Sequence, residues 1–143
     1  MTMNKITLGG REIELYFNVK ASMSIGERCG GDIANLADAF KDKNENQSLE
    51  LICGVLCDLA NGAVAKKNCN IAMGLEDGEK QPFYPEEFFL VNASVDKLAS
   101  AFNVAFDTMG MGSEFTVPDN VKTEEKDIDL AEIEAEKNEP KKS

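Results

Sequence analysis

The fold turns on Gln47–Asn68, QSLELICGVLCDLANGAVAKKN. Leu49, Ile52, Cys53, Leu56, Leu59, Ala60, Ala63 and Val64 recur at three- and four-residue steps, the spacing of one helix face. A helix over this stretch is about 30 Å long, roughly the width of a small domain. Its flanks are polar: Asn44, Glu45 and Asn46 before it, Lys66, Lys67 and Asn68 after it. The two lysines suit the negative C-terminal end of a helix. The other elements are expected to lie against this helix, and none of its residues reads as catalytic.

Upstream, Lys5–Asn18 reads as a β-hairpin. Ile6 and Leu8 alternate with Lys5 and Thr7, Gly9-Gly10 supplies a two-residue turn, and Ile13, Leu15 and Phe17 alternate with Glu12, Glu14 and Tyr16. That loop pairs Leu8 with Arg11, Ile6 with Ile13 and Lys5 with Glu14, so Ile6 and Ile13 share the buried face. A lone hairpin is marginal in water and needs helices or another chain beneath it. Val19–Gly30 reads as a short helix capped by Ser22 or Ser24, carrying Met23, Ile25 and Cys29 and ended by Gly30-Gly31. Asp32 caps a further piece with Ile33, Leu36, Ala37 and Phe40 at helical spacing.

Downstream, Asn70–Gln81 reads as a surface connection, with a helical turn at Ile71–Leu75 and an acidic cluster at Glu76–Glu79. Pro85, Glu86 and Glu87 open a short helix carrying Phe88, Phe89 and Val91, the proline at its first position. Ser94 caps a last helix, Val95–Met109, on which Val95, Leu98, Ala99, Phe102, Ala105, Phe106 and Met109 form an apolar face, stopped by Gly110. The phenylalanines at this spacing read as core. Residues 1–110 thus read as one α+β, mostly α domain, a hairpin packed on a small helical bundle. Residues 111–143 carry ten Asp/Glu against five Lys, net −5, with scattered apolar residues, and read as a disordered acidic tail.

Net charge over the 143 residues is −11, which disfavours a nucleic-acid backbone or an anionic membrane as partner. A run of about eighteen apolar residues, as a spanning helix needs, is not evident. The opening MTMNKITLGG lacks the apolar region of a secretory signal, so an intracellular protein is expected. The chain has no histidine, which removes the commonest general base and metal ligand. Cys29, Cys53, Cys57 and Cys69 form no CxxC and read as reduced, mostly buried thiols. The EDGE stretch lacks the alternating ligands of a calcium loop. No P-loop, GxSxG or HExxH is present, so the chain reads as a non-enzyme without cofactor or metal.

The order of these pieces resembles the tail assembly chaperones of long-tailed (siphovirus-type) bacteriophages and related prophages. The hairpin pattern falls at Ile6–Ile13 and the strand end and following alanine at Phe17–Ala21. An asparagine–x–alanine segment of the long helix falls at Asn61–Ala63, and the proline–glutamate–glutamate opening at Pro85–Glu87 precedes a final amphipathic helix. The resemblance spans residues 5–110, and the acidic tail fits what the family often carries. It implies a bacterial cytoplasmic protein that binds the tape-measure protein, helps recruit major tail-tube subunits during virion morphogenesis, and is not retained in the mature particle. It implies self-association along a filament, and a longer frameshifted product near Pro140–Ser143, which detection of the 143-residue form alone by mass spectrometry would count against. A chaperone of this kind offers apolar grooves between helices and a hairpin edge open to strand pairing. The candidate contact residues are Phe83, Tyr84, Phe88, Phe89, Met109 and Met111, and the competing reading makes them ordinary core. Rival readings are an acidic DNA-mimic inhibitor, a minor structural tail or connector protein, and a metal-responsive regulator using Cys53, Cys57 and Cys69.

Overall fold

The computed structural model describes residues 4–110; the acidic stretch 111–143, and with it Met111, lies outside the described residues. The architecture is α+β and mostly helical. An antiparallel hairpin of β1 (Asn4–Leu8) and β2 (Arg11–Leu15) is followed by α1 (Val19–Arg28). A 3-10 turn (Ile33–Asn35) runs into the single turn α2 (Leu36–Ala39). Then come α3 (Glu45–Ala72), α4 (Glu86–Asn92) and α5 (Val95–Thr108).

The hairpin has the register its sequence dictates, with Leu8 opposite Arg11, Ile6 opposite Ile13 and Lys5 opposite Glu14. Gly9 and Gly10 hold φ of 59° and 76°, the two positive angles of a type I′ turn. Ile6, Leu8, Ile13 and Leu15 are buried, β2 against α3 and β1 against α5. On the wet face Lys5 pairs with its diagonal neighbour Glu12 at 3.5 Å. The strand ends at Leu15, two residues before Phe17. There the Tyr16 amide donates to the Leu59 carbonyl of α3 at 3.1 Å and ties the hairpin's exit to the central helix.

Helix α3 is longer than the expected Gln47–Asn68. It starts at a capping box in which Asn44 accepts from the Gln47 amide at 2.8 Å and Gln47 accepts from the Asn44 amide at 3.0 Å. It runs on through Cys69–Ala72, because nothing there breaks a helix until Gly74, whose φ is +78°. Lys66 and Lys67 are therefore interior to the helix rather than in its last turn. Nor is a single face buried: every residue from Leu51 to Ala60 is. Helices α1, α4 and α5 and strand β2 all pack on α3. Such enclosure explains why α3 is long and apolar enough to cross a membrane by length and composition, contrary to the sequence expectation, while 72% of its most apolar 18-residue window is covered by the fold.

Helix α1 is capped by Asn18, not by Ser22 or Ser24: its side chain accepts from the Ala21 amide at 2.9 Å. Ala21, Ile25 and Cys29, four apart, form the buried face, and Met23, on the opposite side of the helix, is 64% exposed. Asp32 caps only a 3-10 turn, through the Ala34 amide, and Ala37 is exposed while Leu36 and Phe40 are buried. Pro85 stands one residue ahead of α4 as its N-cap, and the helical turn expected at Ile71–Leu75 is instead the end of α3. Ser94 occupies the N-cap of α5 without a side-chain capping bond. The phenylalanines of α5 are core, Phe102 against both Phe40 and Phe106.

Candidate functional site

Between α3 and α4 the chain crosses back over α3 as an extended strap, and α3 holds that strap with two asparagines. Asn68 accepts from the Gln81 amide at 2.7 Å and donates to the Gln81 carbonyl at 2.8 Å. Asn61 accepts from the Tyr84 amide at 2.7 Å and donates to the Tyr84 carbonyl at 2.9 Å. Each carboxamide thus pairs with one residue as a neighbouring strand would. The spacing fits: seven residues of helix rise about 10 Å, and three residues of extended chain cover about the same. Pro82 and Pro85 lack the amide that a strand ladder needs and favour the extended form. The strap lifts Phe83 off the surface, 51% exposed.

Under the strap and α1 lies the ion cluster of Arg28, Asp58 and Glu86. Arg28 Nε donates to Asp58 Oδ2 at 2.7 Å and its second nitrogen to Oδ1 at 3.2 Å, a bidentate pair, while the third nitrogen reaches Glu86 Oε1 at 3.2 Å. Burial pushes the Asp58 carboxyl above its usual value, and the guanidinium only partly opposes this. Arg28 is held protonated beyond its ordinary range, chiefly by its bond to Asp58. Gly54, Asp58 and Gly62, four residues apart, line one stripe of α3 toward α1. A Cβ at Gly54 would collide with the Arg28 guanidinium, and one at Gly62 would sit 2.5 Å from the Tyr16 carbonyl oxygen. The sequence signal for this cluster is Asp58, the one charged residue between Glu50 and Lys66.

The six expected contact residues do not form one surface. Phe89 is fully buried and Met109 is 7% exposed; both belong to the core and are corrected as such. Tyr84 and Phe88 are half-buried and stack with Phe89 in an aromatic cluster with ring centroids 5.3–5.6 Å apart. Only Phe83 projects to solvent, and Met111 lies outside the described residues. Phe89 is the buried residue of α4, which packs on α3, and Met109, the C-cap of α5, continues the buried face of Phe102, Ala105 and Phe106, which a linear reading of an aromatic-rich stretch does not reveal.

Apolar residues not expected at the surface join Phe83. Val19 and Met23, four apart on the outer side of α1, are 74% and 64% exposed. Between the Lys20–Ser24 side of α1 and Phe83 lies a cleft of ≈ 190 Å³, lined also by Asp58, Asn61 and Gly62. The Lys20 ammonium stands 5.9 Å from the centre of the Phe83 ring, within cation–π range. Lys20 and Ser24 thus face Phe83 across the cleft, and Val19 and Met23 are exposed on the adjoining side of α1. A second exposed group, Leu90, Val91 and Val95, sits where α4 meets α5.

Among the described residues no three Cys, Asp or Glu side chains converge as a metal ion would require. Cys53 and Cys57 are buried, and Cys69, twelve residues beyond Cys57 on the same helix, is exposed and about 18 Å further along its axis. The Cys57 thiol lies 3.4 Å from the Tyr84 carbonyl as a donor, so it keeps its proton. No protein-family model, curated protein or solved structure matches this chain.

Proposed function

We propose that this protein is a tail assembly chaperone of the long-tailed phage or prophage type, which takes up an apolar helical segment of the tape-measure protein and helps bring tail-tube subunits to it. It acts in the cytoplasm of the bacterial host and is not retained in the particle. The observation that carries the reading is exposed Phe83 at a shallow cleft against α1, whose Val19 and Met23 are also exposed, on a protein of net charge −11. Helical partners dock by laying an apolar stripe against such a surface, and a negatively charged carrier keeps the complex in solution. The order of the hairpin, long helix and final helix supports the same assignment through the family resemblance. Nothing in the cluster of Arg28, Asp58 and Glu86 suggests catalysis; its groups satisfy one another.

The test is affinity capture of the tagged full chain from cells producing phage or an induced prophage, read by mass spectrometry, beside a Phe83→Ser, Met23→Ser variant. Recovery of a long, helix-rich tape-measure protein and a tail-tube subunit, both lost in the variant, is the expected result. Recovery of a host nuclease or polymerase without tail proteins would transfer the assignment to a DNA-mimic inhibitor. Presence of the protein in purified particles would make it a structural tail component.

A further inference from the structure

The type I′ turn fixes which backbone groups of β2 are used. With Gly9-Gly10 at the turn, Leu8–Arg11, Ile6–Ile13 and Asn4–Leu15 are the hydrogen-bonded pairs, so the amides and carbonyls of Glu12 and Glu14 point away from β1. The next group of that phase, the Tyr16 amide, is taken by Leu59 of α3. Those of Glu12 and Glu14 have no partner among the described residues. They face a groove of ≈ 210 Å³. Its floor is Ala60, Ala63 and Val64 of α3, and its far wall is the strap at Gln81–Tyr84.

We propose that this groove takes up one extended segment of a partner protein by strand addition to β2, with small side chains turned to the α3 floor and a lysine or arginine set beside Glu14. The alternation follows from the pleat: residues of an added strand face α3 and solvent by turns. The floor residues are small or medium, and on the wet face Glu14 makes no ion pair among the described residues, whereas Glu12 is already shared with Lys5 and Lys67 with Glu76. A cation beside Glu14 is the complementary choice. A second copy of this chain fits less well. Two-fold pairing of β2 with itself sets glutamate against glutamate, and a second hairpin would need to place its other strand where the strap stands. One strand without a partner of its own, as in a linker or terminus, meets both conditions. The groove shares the strap with Phe83 but is lined by Gln81, Pro82 and Tyr84 rather than by that ring, and it does not depend on the tail-assembly reading.

The probe is a blocked peptide of alternating lysine and alanine, titrated into the isotope-labelled full chain by NMR, so neither result requires a tail protein. The expected outcome is shifts and slowed exchange at the Glu12 and Glu14 amides, with binding weakened roughly tenfold or more by Glu14→Lys. Alternate N-methylation of the probe should abolish binding, since it removes the donors that strand addition uses. Glu14→Pro removes an amide that the β1 ladder does not use and should also abolish binding; if that variant fails to fold, Glu14→Lys carries the test. Absence of binding, equal affinity for Glu14→Lys, or equal affinity of the N-methylated probe would each overturn the proposal. So would concentration-dependent dimerisation that Glu14→Lys removes, which would give the edge to a second copy.

Discussion

Asn61 and Tyr84, twenty-three residues apart, exchange two hydrogen bonds, the carboxamide of one matching the backbone amide and carbonyl of the other. The long helix thereby acts as a strand partner for a segment that has none. Replacing Asn61 by Ala leaves a part-buried amide unmatched and the Tyr84 carbonyl with only the weak Cys57 thiol donor, for an expected loss of about 2 kcal/mol in chemical denaturation. Asn68→Ala, at the exposed end of the strap, should lose about 1 kcal/mol or less. Both should speed proteolysis at residues 73–83, with the double variant fastest. Unchanged cleavage in both would mean that the prolines alone hold the strap.

The bidentate bond of Arg28 to Asp58 predicts an asymmetry between its two ends. Arg28→Met strands a buried carboxylate and should lose about 3–5 kcal/mol at neutral pH. Asp58→Asn removes the charge that burial opposes, keeps an acceptor for Arg28, and should lose much less. The pH dependence has a definite sign. Burial, the first cause, already raises the Asp58 carboxyl, and Arg28 is what opposes it. Without Arg28 it rises further. A raised folded-state value means the folded form binds the proton more tightly, so this group's contribution is present below its unfolded value and lost as pH rises through the folded one. Arg28→Met should therefore gain stability relative to wild type as pH falls below neutrality. A constant difference between the two across that range would show that Asp58 is solvated.

Much of this fold is legible in the residues, and what is not has a common cause. The hairpin register follows from Gly9-Gly10 and the alternation around it, since a two-residue loop admits one pairing. The last helix is legible because its apolar steps are regular and Gly110 ends them. In α3 the length misleads: an apolar face can be counted, but a helix enclosed on every side has no polar face to define its boundaries. The site is less legible still. Met23 and Ile25 are alike in apolarity, yet two residues of helix turn them to nearly opposite sides. Phe88 and Phe89 are adjacent in sequence and alike in type, yet one is half-buried and the other fully buried. Exposure depends on which neighbour arrives, and the strap that lifts Phe83 depends on asparagines whose role is visible only once chain segments thirteen and twenty-three residues away are in place.

Gly54 and Gly62 share a stripe of α3 but should respond differently to Ala. At Gly62 the added Cβ meets the Tyr16 carbonyl oxygen at 2.5 Å, a backbone atom fixed by the hairpin exit. Gly62→Ala should lose about 1–3 kcal/mol through overpacking, despite a helix-propensity gain of about 1 kcal/mol. At Gly54 the obstacle is the tip of the Arg28 side chain, which can swing away. That relief breaks the bond to Asp58, so Gly54→Ala should be far less damaging in an Asp58→Asn background. Additive losses in the double variant would show that Arg28 accommodates the methyl without leaving Asp58.

Phe83 and Phe89 separate surface from core in a single comparison. Phe89→Ser opens a cavity among Tyr84, Phe88 and α3 and should unfold the domain or cost about 3–5 kcal/mol. Phe83→Ser removes a ring that is half in solvent and should leave the melting temperature within a few degrees of wild type. A large loss of stability at Phe83 would place it in the core and remove the exposed ring on which tape-measure binding is proposed.

The four cysteines predict a thiol titration with one fast event. Burial raises the Cys53 thiol to about 11, with Glu86 adding to it, and raises Cys57 to about 11, with Asp58 adding to it. The Cys29 thiol is raised in the same direction for the same reason. At pH 8 a thiol near 11 is ionised in roughly one molecule in a thousand, and the thiolate is the reactive form. Cys69 is exposed on the last turn of α3. An aromatic disulfide reagent should therefore modify one cysteine rapidly in the native chain and all four after denaturation, and Cys69→Ser should remove the fast phase. Two fast thiols in wild type would mean that one of the three buried cysteines, Cys29, Cys53 or Cys57, becomes reachable through an opening of the native packing.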